Sequence, residues 1–137
     1  MSDKILGLLG LMRRANAVEI GETNSGAAVR TGKAKLLLLA SDASDNARRR
    51  AETFVFGRRT ILLPLPYTKA DISGSVGVSG CSMAAVTDMG FANALMKALA
   101  ADNEKYRSIA NEVEGRFMKT EGRKKKRLAA RDTRGTV

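Results

Sequence analysis

Residues 32–46 read GKAKLLLLASDASDN, so four consecutive leucines stand between a glycine-containing turn and a group of capping residues. The leucine run, Leu36–Leu39, is bounded by turn formers and is shorter than a typical helix. An uninterrupted apolar run of this length is typical of a strand that is buried on both faces of a sheet. Ser41–Asp45 supplies turn and capping side chains for a helix over residues 45–56. The sequence therefore predicts a buried strand that is followed by a helix.

Short strands and helices alternate on both sides of this segment. In chain order we predict a helix over 4–15, a strand at Val18–Ile20, a helix at Thr23–Thr31, a strand at Thr60–Leu63, a short helix that begins at the Thr68-x-x-Asp71 capping box, a strand at Ser82–Val86 and a helix capped by Asp88. Helices that alternate with short buried strands are typical of an α/β sandwich.

The charge of the chain is strongly basic and unevenly distributed. The chain has 137 residues, a length that suits one compact domain with some tail left over, and its formal net charge is +10. Residues 103–137 carry eleven Lys or Arg and five acidic residues, and therefore six of the ten net positive charges. This balance predicts a polyanionic partner, either nucleic acid or an acidic membrane surface.

The composition changes after Asp102, where we place a boundary between a domain at 1–102 and a basic C-terminal extension at 103–137. Tyr106, Ile109, Ala110, Val113 and Phe117 keep helical spacing, so the extension should begin as a helix. From Gly122 onward the basic run 123–127 has nothing apolar to pack with. We expect this last part to be disordered in isolation.

The residue types that the chain lacks argue against catalysis. The chain has no histidine, and Cys81 is its single cysteine, so His-based catalysis and sites with several thiolate or His ligands are excluded. We expect no enzyme activity, no metal and no cofactor. With no Trp, two Tyr and four Phe, an aromatic platform for base stacking is also not expected.

The N-terminal apolar run Ile5–Met12 does not follow the pattern of a signal peptide. The residues before it are not net positive, and Arg13 and Arg14 separate it from the small residues that would form a cleavage site. No apolar run approaches the roughly 20 residues that a membrane span needs. We expect a cytoplasmic protein without a membrane partner.

Two further patterns each have two interpretations. Gly74-x-x-Gly77-x-x-Gly80 has the glycines of a phosphate cradle, but it lacks the Lys-Ser/Thr of a P-loop, so a flexible loop is the better interpretation. A second pattern is formed by two arginine runs, Arg48–Arg50 and Arg58-Arg59. Taken alone, each run is typical of solvated residues in a helix or a turn. Together with the basic extension they indicate a positive face for phosphates.

Five short segments stand in a characteristic order along residues 3–100. They are Leu8-Leu-Gly-Leu-Met12, Gly21-Glu22, Gly32-x-Ala34-Lys35-Leu36, Ala40-Ser-Asp-Ala-Ser-Asp-Asn46 and Val86-Thr-Asp-x-Gly-Phe-Ala-Asn93. In this order they resemble the ribosomal protein L-seven-Ae family, and specifically its small bacterial YlxQ-like members. The extension lies outside the resemblance.

The resemblance implies a three-layer α/β/α sandwich with a small mixed central sheet, which binds structured RNA without catalysis. The implied RNA is the kink-turn, a sharply bent duplex with sheared G·A pairs, and the implied setting is ribosomal RNA or the ribosome. In this family the second helix and the loop before the last strand grip the bent backbone. Carried over by position, the implied site residues are Gly21, Thr23, Asn24, Ala27 and Thr31 in the helix and Val78, Ser79, Gly80 and Cys81 in the loop.

The chain departs from the family pattern at this helix. Many members show Gly-x-Asn-Glu-x-x-Lys, whereas this chain has Gly21-Glu-Thr-Asn-Ser-Gly-Ala27, which replaces the RNA-contacting lysine by Ala27. One interpretation is that Lys33, Lys35 and the extension supply the phosphate contacts, and another is that the chain binds a different RNA. The alternative from another class is a protein-interaction module on the same fold with an eroded RNA site.

Overall fold

Four short strands form one mixed sheet at the centre of the molecule. The computed structural model describes the backbone of residues 3–135 and the side chains of residues 4–130. The strands are β1 (Val18–Ile20), β2 (Leu36–Leu39), β3 (Ile61–Pro64) and β4 (Met83–Val86), in the spatial order β1-β4-β2-β3. β2 runs parallel to β3, and β4 is antiparallel to both β1 and β2. The small mixed sheet expected from the sequence is confirmed.

Within residues 3–135, six α-helices and a short 3₁₀ turn cover the two faces of this sheet. They are α1 (Asp3–Arg14), α2 (Glu22–Arg30), α3 (Asp45–Val55), α4 (Lys69–Val76), α5 (Met89–Asp102), the 3₁₀ turn Glu104–Tyr106 and α6 (Arg107–Gly135). Among the residues that the structure describes, no helix is both long enough and apolar enough to cross a bilayer.

The four leucines of β2 divide the core into two halves. Leu36 and Leu38 pack in the cluster formed with α1, α4, α5 and the start of α6, whereas Leu37 and Leu39 pack in the cluster formed with α2 and α3. All four are buried. Successive side chains of a strand point to opposite faces, so an all-apolar strand must be covered on both sides. The three-layer α/β/α sandwich is therefore confirmed.

Three of the helices begin with a side-chain cap at residues that the sequence predicted. Ser44 accepts a hydrogen bond from the backbone N–H of Ala47 at the start of α3. Thr68 forms the expected capping box with Asp71, and Asp88 accepts from the N–H of Phe91. The glycine pattern at 74–80 differs from the expected flexible loop, because Gly74 lies inside α4 and the helix ends only at Gly77, where φ is +77°.

The basic extension begins as part of the core and continues as a helix. Tyr106 and Val113 are buried, and the Tyr106 hydroxyl donates to the carbonyl of Pro64 at 3.2 Å. From Gly122 the structure differs from the expected disorder, because α6 continues to Gly135. The physical reason is local, since Lys, Arg and Ala are good helix formers and ion pairs such as Lys124–Glu121 lie one turn apart. Residues 136–137, which the same expectation covered, lie outside the described residues.

Candidate nucleic-acid interface

The start of α2 and the loop between α4 and β4 lie side by side. β1 and β4 are antiparallel with Ile20 opposite Ala84, so the residue that follows β1 is adjacent to the residues that precede β4. The backbone N–H of Gly21 accordingly donates to the carbonyl of Met83 at 3.0 Å. The sheet therefore brings the predicted helix residues near Gly21 next to the predicted loop, residues 78–81. We call this surface the α2 end; it comprises Gly21, Thr23, Asn24 and the loop 78–81.

Gly21 precedes α2 in a backbone conformation that favours glycine. Its φ is +92° and its ψ is 167°, a region that is essentially restricted to glycine. A Cβ atom at this position would meet nothing within 4 Å, so conformation and not crowding requires the glycine. The open space in front of Gly21 also leaves its backbone accessible to a ligand.

The first turn of α2 presents backbone donors without a side-chain cap. The first bond within the helix runs from the N–H of Ser25 to the carbonyl of Gly21, so the N–H groups of Glu22, Thr23 and Asn24 have no intrahelical acceptor. α3, α4 and α5, in contrast, each begin with a capping side chain. Open N–H groups at a helix N-terminus favour anions such as phosphate.

The side chains at the start of α2 are placed at the surface of the molecule. Thr23, Asn24 and Ala27 are exposed. The amide Nδ2 of Asn24 donates to the carbonyl of Ile20 at 3.0 Å, which holds this side chain against the start of the helix. Thr31 lies at the other end of α2, where its hydroxyl donates to the carbonyl of Ala27 at 2.9 Å.

Cys81 anchors the loop, and its neighbours face solvent. The N–H of Cys81 donates to the hydroxyl of Ser73 at 3.0 Å, and its thiol donates to the carbonyl of Met83 at 3.4 Å. Burial raises the pKa of the Cys81 thiol above its ordinary value, and backbone hydrogen bonds at Gly21 and Met83 oppose this shift without reversing it. The members of the loop that a ligand can reach directly are Ser79 and Gly80, with Val78 half-buried.

An ion pair beside α2 was not foreseen from the sequence. The guanidinium of Arg50 in α3 lies 2.9 Å from the carboxylate of Glu22 in the first turn of α2. Glu22 alone would repel a phosphate at this helix end, and Arg50 offsets that charge locally. The two residues are 28 positions apart, so only the packing of α3 on α2 brings them together.

Lys33 and Lys35 do not lie at the α2 end. They follow the C-terminus of α2, and a helix of nine residues is about 13 Å long at 1.5 Å per residue. The N–H of Lys35 donates to the carbonyl of Val86, at the far end of β4 from Met83. The structure therefore divides the residues predicted from the sequence into two groups at opposite ends of the sandwich.

Lys35, but not Lys33, borders a cleft of about 470 Å³, which we call the basic cleft. Its charged lining residues are Lys35, Arg58, Arg59, Arg116 and Arg123. The sequence pointed to Lys35, the Arg58-Arg59 pair and the basic run 123–127, which includes Arg123. It did not point to Arg116 or to the meeting of these residues in one cleft, because the docking of α6 is not visible in local patterns. Among the residues with described side chains, no group of three or more His, Cys, Asp or Glu could hold a metal ion.

Comparisons with known proteins agree with this architecture. The chain is 35% identical over 96 residues to the RNA-binding protein YlxQ of Bacillus subtilis strain 168, a match that covers 67% of this chain and 91% of that protein. No protein-family model matches the chain.

Two solved structures share the fold. A protein of unknown function from Bacillus halodurans C superposes with a TM-score of 0.64 and 25% identity, covering 69% of this chain and 95% of that chain. The Giardia lamblia 15.5kD RNA binding protein superposes with a TM-score of 0.57 and 20% identity, covering 83% and 88%. The second likeness shows the fold alone.

Proposed function

Because the chain belongs to the YlxQ-like family of small L-seven-Ae-type proteins, we propose that it is a non-catalytic RNA-binding protein that recognises kinked RNA at the α2 end. The partner class is structured RNA, with ribosomal RNA as the principal candidate. The relative YlxQ is described as an RNA-binding protein, which supports a binding role and not an enzymatic one.

The observation that carries the proposal is the junction of an open helix start with a glycine-containing loop. The three N–H groups at Glu22–Asn24 offer hydrogen-bond donors, and the open space at Gly21 and Gly80, where a Cβ would meet nothing within 4 Å, lets a ligand approach closely. A sharp bend in RNA crowds its phosphates and exposes base edges, and compact backbone donors can approach such a surface closely. A straight duplex offers no comparable protrusion, so the α2 end should distinguish the two by shape.

The replacement of the family lysine by Ala27 lowers the expected affinity without removing the donors. One ammonium contact to phosphate is lost, and with it the release of one counterion. The backbone N–H groups of α2 do not depend on that side chain. The chain should therefore keep its preference for kinked RNA at a weaker absolute affinity than a member that has the lysine.

The decisive experiment compares a kink-turn duplex with an unkinked duplex of equal length over a range of salt concentrations. We expect tighter binding of the kinked RNA at every salt concentration, because both duplexes carry the same phosphate charge and differ in shape. Equal affinities for the two duplexes would contradict the proposal and favour the protein-interaction module.

A further inference from the structure

The basic cleft is built from three separate parts of the chain. Lys35 enters from the turn before β2, Arg58 and Arg59 come from the turn after α3, and Arg116 and Arg123 project from α6. None of the described residues that line the cleft is acidic. Positive side chains from distant sequence positions thus meet around one concave surface, which is the arrangement that concentrates a positive potential.

Two of these arginines are held in position by the protein backbone. Arg58 donates through Nη1 to the carbonyl of Arg30 at 3.2 Å, at the C-terminus of α2. Arg116 donates through Nη1 to the carbonyl of Arg59 at 2.9 Å and pairs through Nη2 with Glu112 at 2.5 Å. These contacts fix the walls of the cleft and bind the turn after α3 to α6.

The other three cations are uncommitted. The side chains of Lys35, Arg59 and Arg123 make no hydrogen bond or ion pair with any residue whose side chain the structure describes. Arg59 and Arg123 are exposed, and Lys35 is half-buried. The cleft therefore offers three positive groups that are available to an anion with several charges, such as a polynucleotide backbone.

An exposed aromatic residue is adjacent in sequence to the turn that lines this cleft. Phe56 is 86% exposed, and it directly precedes the Gly57–Arg59 turn that lines the cleft. Gly57 has a φ of +71°, which turns the chain sharply between the ring and the arginines. A single exposed apolar side chain is common at protein surfaces. This segment of the chain thus supplies, within four residues, an exposed ring and cleft-lining cations, and unpaired nucleotides are bound by stacking faces together with phosphate contacts.

We propose that Phe56 and the basic cleft form a second RNA-contact surface, which binds a single-stranded segment that continues from the kinked element. Lys35, Arg59 and Arg123 contact its phosphates, and Phe56 stacks on an unpaired base. This inference rests on the proposed function. The two surfaces lie at opposite ends of α2, so one chain holds a folded RNA element and its unpaired flank at the same time.

The test uses two pairs of RNAs with the full chain. The first pair is the kinked and the straight duplex, both blunt, and it reports on the α2 end alone. The second pair is the kinked duplex with and without a short single-stranded extension, and it reports on the basic cleft. We expect the extension to tighten binding, and an extension made double-stranded to give a smaller gain because its bases cannot stack on Phe56. No gain from the single-stranded extension would overturn the inference even if the first pair confirms the proposed function.

Phe56→Ala separates stacking from charge. It should remove about 5- to 150-fold of affinity for the extended RNA, the range for one stacked base, and leave both the salt slope and the binding of blunt RNA unchanged. Met118→Ala is the matched control, since it truncates another exposed apolar side chain, 63% exposed, on α6. An equal effect of the two variants on the extended RNA would overturn the role of Phe56.

The double variant Arg59→Gln, Arg123→Gln tests the phosphate contacts. The salt slope for the extended RNA should become shallower by about 1.4 units, since each contact to a single strand contributes about 0.7. Arg13→Gln, Arg14→Gln is the control with the same charge change, placed at the end of α1. If the control changes the salt slope as much as the cleft variant does, the slope follows the net charge of the whole molecule and the basic cleft is not an RNA-binding site.

Discussion

The two ends of the sandwich offer different chemistry to the same kind of ligand. At the α2 end the groups that face solvent are mainly backbone N–H groups and small side chains, and the acidic group, Glu22, is offset by Arg50. At the other end the groups are long cationic side chains around a cleft. Backbone donors at fixed positions select a shape, whereas cations attract any phosphate. Under the proposed function, the preference for kinked RNA depends on the α2 end and the overall affinity on the basic cleft, and we expect that each can be changed separately.

The largest expected effect comes from a truncation after Thr120. This change removes Arg123–Arg127, Arg131 and Arg134, which include one member of the basic cleft. Affinity for every RNA should fall by about tenfold or more at physiological salt, with a clearly shallower salt slope, because several counterion-releasing contacts are lost. The ratio of kinked to straight binding should stay the same.

Calorimetry provides the control for this truncation. The deleted residues 123–130 are exposed, so they bury little apolar surface and the melting temperature should hardly change. Loss of the preference for kinked RNA with the tail would show that the α2 end does not distinguish the two shapes.

Gly21→Ala should have the next largest effect, and it should change the ratio of kinked to straight binding. An alanine at φ +92° and ψ 167° is strained, so we expect a loss of about 1–3 kcal/mol in the free energy of unfolding and a reduced ratio of kinked to straight binding. The salt slope should not change, because no charge is removed. Both quantities can be measured by denaturant unfolding and by filter or fluorescence binding.

Asn16→Ala is the matched control for Gly21→Ala. Asn16 also has a positive φ, 57°, but it lies in the turn after α1 and outside both surfaces. Its replacement should lower stability and leave the binding ratio unchanged. A reduced ratio in this control as well would indicate that the ratio follows stability and not the contact at Gly21.

Ala27→Lys should strengthen binding by a smaller amount. The exposed Ala27 sits on α2, so an ammonium there gains one phosphate contact and steepens the salt slope by about one unit. Ala94→Lys adds the same charge on an exposed position of α5, in the opposite layer of the sandwich, and should change the slope less. Identical responses of the two variants would place α2 away from the RNA.

The smallest expected effect is on the thiol of Cys81. Its pKa is raised by burial, so the neutral thiol persists to higher pH in the folded protein than in the unfolded chain. The resulting contribution to stability is complete below the thiol's ordinary pKa, near 9, and is lost as the pH rises through the raised value. Alkylation at pH 8 should be much slower for the folded protein than in denaturant. Equal rates would show that the loop opens readily.

The helices and strands could be predicted because the residues that determine each of them are close together in the sequence. Four adjacent leucines can be buried only between two layers, and Thr68 and Asp71 form their capping box within one helical turn. The juxtaposition of Gly21 with the loop before β4 came from the family resemblance, since residue patterns alone do not determine strand order.

The parts that could not be predicted depend on long-range packing. The pairing of Arg50 with Glu22 and the meeting of Arg59 with Arg116 join positions that no short motif connects. The expectation that the few aromatic residues form no base-stacking platform stays a prediction. Composition alone does not show that Phe56 is exposed or that it precedes a turn that lines a basic cleft. The helical course of α6 beyond Gly122 was missed because a basic run without apolar residues is also typical of disorder.

The edges of the small sheet bear on how readily copies of the protein associate with one another. β1 has only three residues, and β3 at the opposite edge ends with Pro64, which has no N–H to donate. Unpaired sheet edges are templates for strand addition and aggregation, and both short length and proline limit that process. Two copies that meet at these edges would therefore gain few hydrogen bonds from one another, which limits the association of sheets at high protein concentration.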